Sequence, residues 1–273
     1  MKKYALIGHP LSHSLSPYIH DKLFHLNKIC ANYELIDILP KDLDSKYEER
    51  LVQLDGYNIT LPYKHDIIPY LSELEENARV CGAVNTVHKS KGYNTDGYGF
   101  KKSLQKCGCN LAGHIVVIGY GGAARVIIYE ALEAGCTVDV LVRKKSILQK
   151  GKMTKDFWNK KDKINVYELE SYLPMEKISL LVNATPAGMN PNFSSMPEIN
   201  EKVFKCSEAV FDAVYNPIDT NFLKYAKLND CKVISGIFML VHQAIKSHYI
   251  WYGGYFNESD IRNLEKFVMA MLK

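Results

Sequence analysis

The chain has 273 residues, 47% hydrophobic and 23% charged, with 34 Lys plus Arg against 30 Asp plus Glu for a formal charge of +4; this is ordinary globular composition, with too small a basic excess for a nucleic-acid-binding arm. No apolar run reaches the length of a membrane-spanning helix and the first ten residues are too briefly hydrophobic for a secretory leader, so a cytoplasmic protein is expected, without membrane contact. Seven cysteines without a repeated CxxC and nine scattered histidines without HExxH point to free thiols and to no metal site.

The length favours two domains. Residues 4–7 read as a short buried strand. It leads into Gly8-His9-Pro10-Leu11-Ser12-His13-Ser14-Leu15-Ser16-Pro17. Ser16 before Pro17 has the form of an N-cap with proline at the first helical position, which predicts a helix over 17–26. Ser14 and Ser16 then stand at a helix mouth, where the macrodipole and unpaired N–H groups favour a carboxylate; alternatively Ser16 is a cap and nothing more. A strand over 31–38, a helix over 41–54 and a strand over 57–60 follow.

That third strand opens Asn58-Ile59-Thr60-Leu61-Pro62-Tyr63-Lys64. In an extended run Asn58 and Thr60 project from one face, and Pro62 ends regular pairing by removing a donor and fixing φ. Lys64 is thereby offered from a constrained loop. An amide, a hydroxyl and an ammonium converging there suit a small oxygen-rich anion or polyol; the plainer reading is a strand followed by a solvated lysine. Residues 67–80 read as mostly helical. Next, Gly82-Ala83-Val84-Asn85-Thr86-Val87-His88 and Tyr93-Asn94-Thr95-Asp96-Gly97 flank a Lys89-Ser90-Lys91-Gly92 turn as a hairpin. Asn85 and Asp96 lie on its opposite arms and can face one cleft. Asp96 also stands where an N-cap belongs, before a helix over 98–106.

Beyond Cys109 the pattern changes. Ile115-Val116-Val117-Ile118 is a continuous apolar run, as in a strand covered on both faces, and Gly119-Tyr120-Gly121-Gly122-Ala123-Ala124 follows at once. With a strand before it, a helix over 124–134 and a second strand over 137–142 after it, this GxGxxA has the βαβ context of a dinucleotide site. Gly119 permits the tight turn, Gly121 the approach of a pyrophosphate, and Ala124 close helix-on-strand packing. An acidic residue ending the second strand would hold the ribose diol of NAD. The chain instead has Val142-Arg143-Lys144-Lys145, and Asp139 falls three residues too early, inside the strand. Arg143 can clamp a 2′-phosphate, so the sequence leans to NADP. The cations from Arg143 through Lys144, Lys145, Lys150, Lys152, Lys155, Lys160 and Lys161 to Lys163, with only Phe157 and Trp158 among them, read as a solvated face rather than a nucleic-acid site. Further βα units follow: a strand over 178–182 closing in Asn183-Ala184-Thr185-Pro186-Ala187-Gly188-Met189, a strand over 209–214 closing in Tyr215-Asn216-Pro217, a helix over 220–228 and a strand over 232–235. Gly236 precedes a helix carrying Met239, Leu240, Val241 and Gln243, and an amphipathic helix covers 258–272. Tyr215 and Gln243 read locally as either site residues or satisfied buried polar groups.

Taken together, eight ordered motifs resemble the shikimate dehydrogenase family nearly end to end: Gly8-x-Pro10-x-x-His13-Ser14-x-Ser16-Pro17, Asn58-x-Thr60-x-Pro62-x-Lys64, Gly82-Ala83-Val84-Asn85-Thr86, Asn94-Thr95-Asp96-Gly97, Gly119-x-Gly121-Gly122-Ala123, Asn183-Ala184-Thr185-Pro186-x-Gly188-Met189, Asp212-x-x-Tyr215-x-Pro217 and Gly236-x-x-Met239-Leu240-Val241-x-Gln243-Ala244. The resemblance implies an α/β fold in two parts. Residues 1–100, completed by the C-terminal helices over 237–273, would form an α/β substrate domain, and 101–236 a Rossmann-like NADP-binding domain. It implies reversible NADPH-dependent reduction of 3-dehydroshikimate to shikimate, by a monomer or homodimer. Ser14 and Ser16 would bind the substrate carboxylate. Asn58, Thr60, Asn85, Asp96, Tyr215 and Gln243 would contact its hydroxyls or carboxylate, and Lys64 with Asp96 would form the catalytic dyad. Gly119, Gly121, Gly122, Ala123, Arg143, Asn183, Thr185 and Gly236 would line the cofactor.

There are departures from the family pattern. Tyr120 replaces a small residue and is expected to crowd or stack near the cofactor, while Val142 and Lys144 flank Arg143 where the family often has Asn and Thr. Two other classes stay open at this point: a quinate/shikimate dehydrogenase using NAD, and a non-catalytic paralogue. The paired serines and Arg143 stand against the first. The presence of both Lys64 and Asp96 stands against the second.

Overall fold

The computed structural model describes residues 1–12, 14–143 and 163–272. In chain order its main elements are β1 (Lys2–Gly8), α1 (Ser16–Leu26), β2 (Ala31–Asp37), α2 (Leu43–Glu49), β3 (Gly56–Ile59), β4 (Glu73–Leu74), α3 (Glu76–Cys81), β5 (Thr86–His88), β6 (Lys91–Tyr93) and α4 (Asp96–Lys106). Then come β7 (His114–Ile118), α5 (Gly122–Glu133), β8 (Thr137–Val142), β9 (Ile164–Glu168), β10 (Ile178–Asn183), α6 (Glu201–Lys205), β11 (Ser207–Asp212), α7 (Asn221–Leu228), β12 (Lys232–Ser235), α8 (Ile237–Tyr252) and α9 (Glu258–Met271). His13 of the first motif and the cations Lys144 through Lys161, with Phe157 and Trp158, lie outside the described residues.

Two six-stranded sheets result. The first runs β2-β1-β3-β5-β6-β4 and is mixed, with β1 parallel to β2 and β3, and β5 antiparallel to both β3 and β6. The second runs β12-β11-β10-β7-β8-β9 with every pairing parallel. Its strand order reverses between β7 and β10. In an open parallel sheet the crevice beyond the strand ends at that reversal is where ligands bind.

The apolar run of β7 is explained by burial on both faces. Ile115 and Val117 belong to one core cluster with Val126, Ile127 and Phe211, while Val116 and Ile118 belong to another with Phe204 and Phe222. The first sheet buries Ala5 and Ile7 with Tyr57 and Ile59 on one side, and Tyr4 and Leu6 with Phe24 and Trp251 on the other. Trp251 belongs to α8, so the C-terminal helices cover the sheet begun by the N-terminus. Ile237, Val241 and Ile245 also pack with Ile19 and Leu23 of α1.

Several expected elements are corrected. The helix expected over 41–54 is a 3-10 turn (Pro40–Asp42), α2 and a second 3-10 turn (Leu51–Gln53). Arg50 leaves helical space at φ −127°, which turns Leu51 into the core. The stretch 67–80 is not mostly helical either. Pro69 lies in a 3-10 turn (Ile68–Tyr70), and Ser72 and Glu75 donate their amides to Ser90 and Gly92, making β4 an edge strand against β6 before the six-residue α3. In the hairpin only Lys89 and Ser90 form the turn, both at positive φ, and Lys91 and Gly92 are already in β6. Strand β9 and helix α6 were not anticipated.

The two expected caps are also corrected. The cap position of α1 is Leu15, and Ser16 is its first helical residue, its amide donating to Ser14 Oγ at 3.2 Å. The cap position of α4 is Thr95, and the Asp96 amide donates to Asn94 Oδ1 at 2.9 Å. In both places a side chain two residues upstream takes the first-turn amide. The Ser16 hydroxyl and the Asp96 carboxylate are thereby left for other partners.

Candidate active site

Lys64 and Asp96 meet. Lys64 Nζ donates to Asp96 Oδ2 at 2.6 Å, with the two side chains 16% and 7% exposed, so the pair is shielded but open to a small molecule. Lys64 follows β3 on the proline-interrupted loop, where its carbonyl accepts from Val84 at 2.7 Å, and Asp96 opens α4. The second carboxylate oxygen is held as well: Asn85 Nδ2 donates to Asp96 Oδ1 at 2.8 Å. Asn85 in turn accepts through Oδ1 from the Thr95 amide at 2.8 Å and from Thr86 Oγ1 at 3.0 Å. With both oxygens bonded to groups that are themselves fixed, Asp96 cannot swing away from Lys64.

Asn58 stands behind this layer. Its Nδ2 faces Thr86 Oγ1 at 2.9 Å, Ser247 Oγ at 3.0 Å and the Asn85 carbonyl at 3.2 Å, while its Oδ1 accepts from Tyr33 at 2.9 Å. Its amide nitrogen is therefore directed at protein groups, while its oxygen keeps one acceptor site beyond the bond from Tyr33. Thr60 is half-buried beside Gly8, its methyl group filling the space a Gly8 side chain would need. Gln243 on α8 donates Nε2 to the Leu240 carbonyl at 2.9 Å and lies 3.5 Å from Thr95 Oγ1. Tyr215 is partly buried, and burial raises its hydroxyl pKa. Ser14 is partly and Ser16 fully buried at the α1 start.

The glycine-rich turn lies against the same pair. Gly119 has φ +104°, a conformation that favours glycine, and a side chain there would also strike Thr185 Cγ2 at 2.9 Å. Gly121 caps α5 without a side-chain hydrogen bond and has open space before it, so the first-turn amides of the helix, with Ala123 among them, offer donors to an anion. A Cβ on Gly122 would sit 3.1 Å from Lys64 Cδ. The floor of the dinucleotide turn is thus in contact with the lysine stem. Thr185 lies on the β10 loop across the strand-order reversal from Gly119, and Asn183 ties that loop together: its Oδ1 accepts from Thr185 Oγ1 at 2.7 Å and its Nδ2 donates to Asp212 Oδ1 at 2.9 Å. Burial raises the Asp212 carboxyl to about 6, against hydrogen bonds from Thr220, Val214 and Asn183 that lower it. Gly236 packs against the backbone of Asp212 and Ala213. Arg143 directly follows β8 and is exposed. Asp139 is inside β8, bonded to Tyr172 at 2.7 Å and His114 at 3.0 Å, and is unavailable for a ribose, as its position in the strand led us to expect. Tyr120 is partly buried and packs against the core cluster that includes Ile127.

Thr86, Thr95, Tyr33 and Ser247 escaped sequence reasoning as supports of the site. The first two stand within the quoted motifs without an assigned role, and a hydroxyl beside a site carboxamide or carboxylate is the signal that was there to be used. Among the described residues no group of His, Cys, Asp or Glu is arranged to hold a metal ion, and no helix is long and apolar enough to cross a membrane.

Comparison with known proteins agrees with this arrangement. Residues 6–87 match the shikimate dehydrogenase substrate binding domain. The shikimate dehydrogenase (NADP+) of Clostridium perfringens strain 13 is 41% identical over 263 residues, spanning 93% of both chains. Among solved structures, shikimate dehydrogenase 1 of Peptoclostridium difficile superposes with a TM-score of 0.86 at 29% identity, covering 100% of this chain and 99% of that one. The Thermus thermophilus shikimate 5-dehydrogenase, solved with NADP(H) and shikimate, gives 0.84 at 30% identity, covering 98% and 100%. Full-length similarity at this level, joined to a Lys64–Asp96 pair set against a dinucleotide turn, establishes that the chain belongs to the shikimate dehydrogenase family.

Proposed function

We propose that the protein catalyses the reversible NADPH-dependent reduction of 3-dehydroshikimate to shikimate, with Lys64 and Asp96 as its catalytic pair. The observation that carries this reading is the nearness of Gly122 in the dinucleotide turn to Lys64, whose stem fills the space a side chain on Gly122 would need, because it brings cofactor and acid to one place. The residues fit NADP: an uncapped α5 N-terminus for the pyrophosphate, Gly119 and Thr185 on either side of the crevice, and Arg143 for the 2′-phosphate. When bound, the reduced nicotinamide supplies hydride to the substrate carbonyl carbon.

The chain's own residues then manage charge and proton. Of the three N–H groups of Lys64, one is taken by Asp96 Oδ2, leaving donors for the carbonyl oxygen that becomes negative during reduction. Lys64 stabilises that oxygen and delivers its proton, and in the oxidative direction it takes the proton back. Asp96, held by Asn85, orients the ammonium. Ser14 and Ser16 receive the substrate carboxylate at the start of α1, and Asn58, Thr60, Asn85, Asp96, Tyr215 and Gln243 meet its hydroxyl groups or carboxylate. Asn58 also fixes Asn85 and Thr86.

On this reading residues 1–100 with 237–273 form the substrate domain and 101–236 the NADP domain, a division supported by the separate sheets and by Trp251 packing on β1. The partner is a small molecule, not a nucleic acid, and the working unit is a monomer or homodimer. Free cysteines, including exposed Cys30, support a reducing, cytoplasmic setting. Absorbance at the reduced-nicotinamide band, followed for NADP or NAD with shikimate or quinate, tests the assignment. Strong turnover only with shikimate and NADP is expected. Comparable turnover with quinate or NAD would place the chain with dual-specificity enzymes, and none in any combination would remove the catalytic reading.

A further inference from the structure

A cavity of about 300 Å³ opens between α3, β6, α4, α5 and α8. None of the residues assigned above to substrate or cofactor lines it. Two acceptors in its wall, Glu75 Oε2 and Asn77 Oδ1, are buried without a hydrogen-bond partner. The orientation of Asn77 is fixed, because its Nδ2 donates to the Asn94 carbonyl at 3.1 Å. Glu130 is matched by Lys101 at 2.6 Å, whereas Glu75 has no such ion pair among the described residues. Burial raises the Glu75 carboxyl, and the largest charge acting against that rise is Lys246. Lys246 has no carboxylate partner among the described residues either; its ammonium lies 5.7 Å from the centre of the Tyr98 ring. Tyr93 supplies a second aromatic wall.

A buried acceptor left unpaired loses its solvation without compensation, and one ammonium group carries enough donors for both. A carboxylate on the same molecule would give Lys246 a partner. The volume lies at the small end of the range for small-molecule sites. We propose that this cavity binds a free α-amino acid, its ammonium on Glu75 and Asn77, its carboxylate on Lys246 and its side chain against Tyr93 and Tyr98. The ligand would be linked to the reaction centre through two residues, since the Asn94 that Asn77 holds also fixes the Asp96 amide.

Calorimetric titration of the full chain tests this independently of any dehydrogenase activity. The probes are L-phenylalanine, L-leucine and glycine, with phenethylamine and 3-phenylpropanoate as analogues of the first that each lack one charge. One L-phenylalanine per chain is expected to bind, and loss of either charge should weaken it by at least about tenfold, ~1.4 kcal/mol. Glu75→Gln and Lys246→Met should weaken it similarly with unchanged far-ultraviolet circular dichroism, and Lys246→Arg should restore it. Absence of heat for all three amino acids at about 10 mM, in the range of the weakest specific binding, overturns the assignment. So does phenethylamine binding as tightly as L-phenylalanine, or undiminished binding by both charge-removing variants.

Discussion

Lys64 and Asp96 are 32 residues apart in sequence and 2.6 Å apart in the fold. Lys64→Ala is expected to lower kcat by ~10²-fold or more, the range for a positioned acid–base group. Steady-state kinetics that show a raised KM at near-normal kcat would reject its proton-transfer role. Arg143→Ala should weaken NADPH far more than NADH, because only the former carries the 2′-phosphate that a guanidinium clamps; equal losses in a direct binding titration would mean Arg143 does not read that group. At this scale the residue types of the site were legible, since an amide, a hydroxyl, an ammonium and a carboxylate appear in ordered motifs. The groups that hold them were not. Asn58 is held by Ser247, 189 residues away, and no local pattern reveals that support. Asn183 is likewise tied to Thr185 and Asp212.

Among elements, those whose period was clear came through intact: the doubly buried β7, the helix after the glycine-rich turn, and α8, while the hairpin formed with a shorter turn. Those that failed were broken by tertiary demands that propensity does not carry, as where burial of Leu51 cuts a helix and pairing with β6 draws Glu73 and Leu74 into a strand. The contact of α1 with α8 carries its own chemistry. His20 and His248 are buried and face each other at 2.9 Å, His20 stacks on Tyr33 at 4.1 Å, and His248 also bonds Tyr252. Burial lowers the His20 pKa to about 3 and that of His248 well below its ordinary value. Both are therefore neutral when folded and take up protons on unfolding once the pH drops below an unfolded pKa near ~6.5, so their contribution is full above that value and is lost as pH falls toward about 3. Urea midpoints should decline between about pH 7 and pH 5, and a His20→Phe chain should show a shallower decline. Parallel pH dependence in the two chains would assign the acid sensitivity elsewhere.

At the scale of the whole molecule, the two sheets are joined by helices that cross between them, and α4 and α8 carry most of that joint. Trp251 of α8 donates to the Val87 carbonyl at 3.1 Å, and Ser247 one turn earlier closes on Asn58. The last helices thus complete the wall behind residues laid down near the beginning. Synthesis proceeds from the N-terminus, so a growing chain has the strands of the parallel sheet available before α8 emerges. A chain stopped at Gly236 should accordingly protect residues 114–235 from limited proteolysis while its first hundred residues are digested; equal protection of both would show that the first sheet closes unaided. The enzyme's order of folding would then be the reverse of its order in sequence: the half that comes first waits for its final piece, and no partly made chain can reduce a ketone.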